Sequence, residues 1–441
     1  VTEDGISDPE YREALNFLYS FVDYERSTKW KYDDGHFDLK RIRSLLEAIG
    51  NPHRHGWFVH VAGTNGKGSV SAMIASALRE SGLATGLYTS PHLITFRERI
   101  RIDGAMISPE EVIAGVSRIR KPAEESDGLT FFDVWTALAF DYFAEREVDV
   151  SVVEVGMGGR LDSTNVITPA VSVITSVSLD HRGKLGSTTA EIAAEKAGII
   201  KTGIPVVSAP QDEDVTRVLR EKATEVGSEM IMIGKEVCCE ETPGGLWYHG
   251  REWELERVSV PLRGSFQLEN TAIALAALEI LASRGYPVTS ETARRGVEKV
   301  RWPGRLDVIS TCPEVMVDGA CNVGAMRTVS DYVAQRSPRE KTIAVVALCS
   351  DKEVGPVLEI LGKAASRFIV TQVNNPRAMP VSDLAKFVPS DVEYRIVPDP
   401  EKALGEAVSL AGREGFVIVT GSLYLVGETM KLYKAEEIEE I

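Results

Sequence analysis

Residues 58–69 read Phe-Val-His-Val-Ala-Gly-Thr-Asn-Gly-Lys-Gly-Ser, an apolar run that passes straight into a glycine-rich loop with one lysine and two hydroxyls. The apolar stretch is strand-like, and behind the loop Val70, Met73, Ile74, Ala77 and Leu78 share one side of a helix. Strand, glycine loop and helix in this order suit a nucleoside triphosphate. The backbone N–H groups of Gly63, Thr64, Asn65, Gly66, Lys67, Gly68 and Ser69 can converge on phosphate, Lys67 can reach the terminal phosphates, and the Thr64 or Ser69 hydroxyl can sit beside Mg²⁺. The helix would aim its positive N-terminal end at the same place. The loop is a variant, because Val61 stands where the strict motif has glycine and Gly68 separates Lys67 from Ser69. ATP is the expected ligand; the alternative is a glycine turn that serves packing alone.

Outward from this unit, apolar runs at 57–62, 84–89, 149–155, 171–176, 204–208 and 230–233 alternate with helical patterns. Such alternation predicts an α/β fold with a mostly parallel sheet covered by helices. An amphipathic helix with Tyr11, Leu15, Leu18, Tyr19 and Val22 and a basic segment at Lys29–Lys31 precede it. Residues 245–262, with Trp247, Tyr248, Trp253 and Leu255, break the rhythm as a hairpin or small β insertion before an Ala- and Leu-rich helix at 267–284. A second series follows, with strands at 314–318, 342–348, 368–373, 393–397 and 415–420 separated by helices. Trp302-Pro303-Gly304 lies between the two series, so the expected boundary leaves a P-loop-type domain at 1–302 and a Rossmann-like α/β domain at 303–441. The acidic tail 436–440 reads as a frayed helix end.

The 441 residues are 44% hydrophobic and 26% charged, which is ordinary for a soluble globular chain of two or three domains. Sixty-five acids against 49 Lys and Arg give a formal charge of −16, which argues against nucleic acid or an anionic membrane as partner, so anionic substrates need local cationic sites. No apolar run approaches a membrane span, and the acidic N-terminus lacks signal-peptide character, so the expected location is cytoplasmic and the expected partners are small molecules. Cysteines 238, 239, 312, 321 and 349 show no metal-ligand spacing and read as reduced thiols. No heptad or apolar stripe argues against a monomer.

Further polar groups fall at predicted strand ends, where α/β folds place ligands. Glu154 opens the run Glu-Val-Gly-Met-Gly-Gly-Arg-Leu-Asp-Ser-Thr-Asn to residue 165 and is a candidate Mg²⁺ ligand; the alternative is a glycine turn capped by Asp162 and Asn165. Ser178-Leu-Asp180-His181 ends another strand and can point at the same crevice. Helical spacing puts Glu191 and Glu195 on one face and, by itself, reads Lys196 as an exposed lysine pairing with an acid. Thr89-Ser90-Pro91-His92 with Arg97, Glu98, Arg99 and Arg101 forms a cationic cluster for a carboxylate, or a solvated loop. Arg305 and Asp318 sit where a second domain could close over a nucleotide and hide an intermediate from water.

Taken in order, these segments resemble the folylpolyglutamate synthase and dihydrofolate synthase family of Mur-type ATP-dependent amide ligases, over about residues 10–430. The carrying residues are His60–Ser69, Thr89–Leu93, Glu98–Ile100, Glu154–Asp162 with Thr164-Asn165, Leu179–His181, Glu195–Lys201, Gln267 with Asn270, Pro303–Arg305, Asp318–Ala320, Ser350–Lys352 and Thr420–Tyr424. The resemblance implies an ATP-dependent ligase adding L-glutamate to a folate-type carboxylate through an acyl phosphate, with a glutamate-ligase C-terminal domain. It implies that Gly63–Ser69 bind phosphates, that Asn270, Arg305 and Asp318 bind the nucleotide, and that Ser90, Glu154 and His181 hold two Mg²⁺ ions. Lys196 matches a lysine carboxylated by CO₂ to an anionic carbamate ligand, which overrides its reading from spacing; Lys67, Lys196 and His181 are the implied catalytic set. The regions near Arg97, Arg99, Phe131 and Asp133 match the pterin side.

Cys321 and Val323 stand where the family has His and Pro, Asp133 where it has Glu, and Glu353 where it has Asp. A thiol does not replace imidazole as a cation at neutral pH. Two alternatives therefore stand beside the folate ligase: a Mur-type ligase for another carboxylate, and a catalytically impaired nucleotide-binding homologue.

Overall fold

The computed structural model describes residues 5–26, 37–180 and 183–433. The basic segment Lys29–Lys31, His181 and the acidic tail lie outside the described residues. In the first half, β1 (Trp57–Ala62), β2 (Thr85–Tyr88), β3 (Ile100–Ile102), β4 (Ala105–Met106), β5 (Val150–Glu154), β6 (Val171–Ile174), β7 (Val206–Ser208) and β8 (Met230–Met232) form one sheet. Its order is β4-β3-β2-β5-β1-β6-β7-β8. The strands from β2 to β8 in that order are parallel, whereas β3 and β4 add an antiparallel edge hairpin that the apolar runs do not announce.

The two faces of β1 show why this half is three-layered. Val59 and Val61 pack under the helix Lys67–Glu80, which is itself covered by Phe266–Ser283 and Ser290–Lys299. Buried on both sides, that helix carries a continuous apolar and small-residue surface from Val70 to Leu78. On the other side of the sheet Phe58 joins Trp135, Phe140 and the helix Pro9–Tyr19. Asp8 caps that first helix by accepting from the N–H groups of Glu10 and Tyr11. Val22, expected on its apolar face, lies beyond its end and is 57% exposed, because the helix stops at Tyr19.

The insertion is a three-stranded meander, β9 (Cys238–Thr242), β10 (Gly245–His249) and β11 (Glu254–Val258), whose Leu246, Tyr248 and Val258 join the first core. The second sheet contains β12 (Asp307–Thr311), β13 (Glu314–Val317), β14 (Thr342–Val346), β15 (Arg367–Val370), β16 (Glu393–Ile396) and β17 (Phe416–Thr420), in the order β12-β13-β17-β14-β15-β16. All but β12 run parallel. Parallel strands in both halves bring their connecting loops to the carboxyl ends, and the loops of both sheets line one cavity of about 480 Å³.

Candidate active site

The phosphate loop leaves β1 at Gly63 and enters its helix at Lys67. Gly66 has φ +88°, and a Cβ there would lie 2.6 Å from Asn270 Oδ1, so only glycine lets the loop turn this close to the helix Phe266–Ser283. The end of β6 holds the loop from the other side. Thr64 N donates to Ser176 O at 2.8 Å, and Thr175 Oγ1 donates to Asn65 O at 2.7 Å. The Thr64 hydroxyl donates to Ser178 O at 3.1 Å. Thr64 through Ser69 line the cavity, together with Ser90, Glu154, Asn270, Arg305 and Asp318.

Glu154, the last residue of β5, is 4% exposed and accepts from Ser90 N at 3.2 Å. Its other oxygen lies 3.9 Å from Lys67 Nζ. Burial holds its carboxyl above the usual range, and Lys67 opposes that. A buried carboxylate facing the cavity beside a serine hydroxyl is a set of hard oxygen donors, which fits Mg²⁺. Among the described residues no group of three or more His, Cys, Asp or Glu forms a ready cation cage.

Lys196 corrects the reading from helical spacing. It is 3% exposed and donates to Gly63 O at 2.7 Å from behind the phosphate loop. Burial and the neighbouring Lys67 push its pKa down to about 7. Its amine is therefore substantially neutral, and hence nucleophilic, near pH 7. The acid next to it, Glu195, pairs with Arg160 instead, and Glu191 closes a capping box with Thr188.

The four residues expected on the pterin side, Arg97, Arg99, Phe131 and Asp133, stand behind the cavity wall. Arg99 is 1% exposed and donates both guanidinium arms to Glu25, at 2.8 and 2.6 Å, with Phe96 beneath it. Arg97 Nε donates to Ile107 O at 2.7 Å, and Arg101 to Gly104 O at 2.9 Å. Arg97 and Arg101 thus hold the β3–β4 corner together, and Arg99 ties that corner to Glu25, which itself lines the cavity. Phe131 is core, and Asp133 caps the helix Phe131–Glu145 through Thr130 while accepting from Ser163 Oγ at 2.6 Å. Their neighbours Thr130, Phe132, Met157, Asp162 and Ser163 form the wall instead.

The second half supplies the opposite wall. Asp318 at the end of β13 accepts from Leu306 N and Ala320 N and lines the cavity near Arg305, which counters the upward pull of burial on its carboxyl. Asn322 exchanges amide hydrogen bonds with Asn65 of the phosphate loop and also donates to Asp180 at 3.2 Å. Lys352 bonds Asp180 across the gap at 2.7 Å, and Arg377 bonds Asp351 at 2.6 Å. Cys321 lines the cavity, its thiol held up by burial and therefore neutral at pH 7. Arg377 escaped the sequence reading, although Asn374-Asn-Pro-Arg377 follows β15 at a sheet end as the other site loops do.

Comparison with known proteins agrees with this geometry. Residues 61–278 match the Mur ligase middle domain, and residues 304–423 match the Mur ligase glutamate ligase domain. The folylpolyglutamate synthase of Lacticaseibacillus casei is 35% identical over 94% of this chain and 96% of its own. The dihydrofolate synthase/folylpolyglutamate synthase of Bacillus subtilis is 34% identical over 94% of this chain and all of its own. The solved Mycobacterium tuberculosis folylpolyglutamate synthase complexed with ADP superposes with a TM-score of 0.86 at 32% identity, over 96% of this chain and 98% of that one. No helix among the described residues is long and apolar enough to cross a membrane. Matched along nearly its whole length by these relatives, and by both Mur ligase domains in the same order, the chain belongs to the folylpolyglutamate synthase and dihydrofolate synthase family of ATP-dependent Mur-type ligases.

Proposed function

We propose that the protein joins the amine of L-glutamate to the carboxylate of a folate-type acid, dihydropteroate, a reduced folate or both, converting ATP to ADP and phosphate. The observation that carries this reading is a single cavity that holds the phosphate loop, Glu154 and walls from both halves of the chain. In it Gly63–Ser69 cradle the phosphates, Asn270, Arg305 and Asp318 hold the rest of the nucleotide, and Lys67 meets the charge on the transferred phosphoryl group. Phe132 and Met157 offer a flat apolar wall to a pterin ring.

The acid's carboxylate oxygen attacks the γ-phosphorus and ADP departs, leaving an acyl phosphate. The glutamate amine then attacks the acyl carbon, phosphate leaves with the former carboxylate oxygen, and the amine loses a proton. Phosphorylation turns an oxide that cannot leave into phosphate, and the two walls keep water from the intermediate. Ser90 and Glu154, with His181 and Lys196 as its carbamate, would hold two Mg²⁺ ions, which neutralise charge on the transferred group. The lowered pKa of Lys196 supports carboxylation, since CO₂ reacts with the neutral amine. The protein acts as a cytoplasmic monomer in this reading.

The test is phosphate release with ATP, Mg²⁺ and glutamate, comparing dihydropteroate, tetrahydrofolate and no acceptor, with product mass read in parallel. Release that depends on an acid, with a product one glutamyl unit heavier, is the expected result. Release with neither acid would move the assignment to another carboxylate or to an impaired homologue, the reading that Cys321 on the wall favours.

A further inference from the structure

His60 occupies the middle of β1 and is completely buried on the Phe58 side of the sheet. An apolar residue there would carry no polar atom needing a partner. The imidazole instead leaves Nδ1 buried without a hydrogen-bond partner, a penalty of about 1–3 kcal/mol. Its other nitrogen explains the choice. Nε2 lies 2.9 Å from Thr164 Oγ1. The single hydroxyl proton of Thr164 goes to Asp162 Oδ1, so Nε2 must carry the hydrogen and donate to Thr164. Asp162 Oδ1 also accepts from Thr164 N at 3.0 Å, and Oδ2 accepts from Met157 N at 2.9 Å. A directed chain thus runs from His60 through Thr164 and Asp162 to the backbone of Met157. Its last members, Asp162 and Met157, are on the cavity wall, whereas His60 is not.

We propose that His60 is a positioning residue: its Nε2–H aligns the Thr164 hydroxyl on Asp162, and Asp162 in turn fixes residues 156–163 as the wall that receives the acid substrate. The identity of that substrate rests on the ligase reading above; the alignment does not. Burial and nearby Lys201 keep the imidazole neutral, with a pKa pushed down to about 3, and burial lifts the Asp162 carboxyl to about 6, so the chain runs in this direction above about pH 6, where Asp162 is ionised and accepts. Removing the imidazole strands no partner, because Thr164 still donates to Asp162. The Thr164 hydroxyl loses the donor that orients it, and the wall loosens without an unpaired group being left in the core.

The experiment compares wild type, His60→Leu, His60→Gln and Thr164→Val. His60→Leu is expected to raise KM for the acid about tenfold, to leave KM for ATP within about twofold, and to leave Tm unchanged or higher. His60→Gln, which retains an N–H donor, is expected to recover most of the acid KM. Thr164→Val should match His60→Leu, and the double variant should be no worse than either. An unchanged acid KM in a folded His60→Leu, or a parallel rise in both KM values, would overturn the proposal; if His60→Leu fails to fold, Thr164→Val decides by the same criteria. Amide hydrogen exchange at Met157, measured without acid, separates this inference from the assigned activity. Faster exchange in His60→Leu supports the chain even in a protein inactive with both acids, and unchanged exchange overturns it.

Discussion

The chain carries two cationic segments that look alike on paper, the lysines around the phosphate loop and the arginines at 97–101, and the structure uses them oppositely. Lys67 meets one backbone carbonyl at 3.4 Å and one carboxylate at 3.9 Å, which leaves positive charge facing the cavity, while Lys196 stands behind the loop on the Gly63 carbonyl with its amine held largely neutral. Arg99 gives its two terminal nitrogens to Glu25 and its Nε to His92 Nδ1, and Arg97 and Arg101 spend donors on backbone carbonyls of their own corner. The difference lies in the acceptors that the fold supplies. A cation becomes part of a site when the fold leaves it short of acceptors, and part of the scaffold when the fold completes it.

The sharpest way to break this contrast is to remove one cation from each segment. Lys67→Ala should lower phosphate release by about 10²–10³-fold with little change in urea midpoint, because its charge acts on the transferred group and it has few fold contacts to lose. Arg99→Met should do the reverse. It leaves Glu25 without its bidentate partner and is expected to cost roughly 3 kcal/mol in urea unfolding, while the folded fraction keeps kcat within about threefold. A folded Arg99→Met without activity would put the arginine corner in the site after all.

A third prediction extends the contrast to groups buried without charge. The pKa of His60 is pushed down to about 3 from the ordinary 6.5, so between those values the unfolded chain takes up a proton that the folded one refuses. Its contribution to stability is complete above about pH 6.5 and falls as pH falls toward 3, by about 2 kcal/mol at pH 5. Unfolding of His60→Leu at pH 7 and pH 5 should therefore show an acid loss smaller by that amount. Equal losses in both proteins would mean that His60 becomes protonated inside the fold.

What the sequence made legible follows the same division. The phosphate loop is seven consecutive residues, and Glu154 ends an apolar run, so both could be read locally. Lys196 could not, because helical spacing records which residues share a face and not that the Gly63 carbonyl, 133 positions away, turns toward it. The partner of Arg99 is illegible for the same kind of reason: Glu25 lies 74 positions from it. Asp133 carries a local signal, since Thr130 three residues earlier makes a capping box with it, a structural use of the carboxylate. The antiparallel β3–β4 corner is too short to leave a periodic pattern.

The smallest expected effect concerns Cys321, where the family has histidine. Its thiol is neutral at pH 7, and the cations near it on that wall are Lys352, held by Asp180, Arg377, held by Asp351, and Arg305 near Asp318. If charge is what the wall contributes, these residues already supply it. Cys321→Ser then keeps polarity and approximate size and should change phosphate release by less than about threefold, with no new pH dependence between 6 and 9. Lys352→Met, by contrast, removes a cation and takes from Asp180 its 2.7 Å ion pair across the gap between the two halves, so it should act through domain closure and raise the KM values of substrates that both walls touch. A loss above tenfold in a folded Cys321→Ser would show that the thiol itself is used, and that this wall, unlike the phosphate loop, does its work through a neutral group.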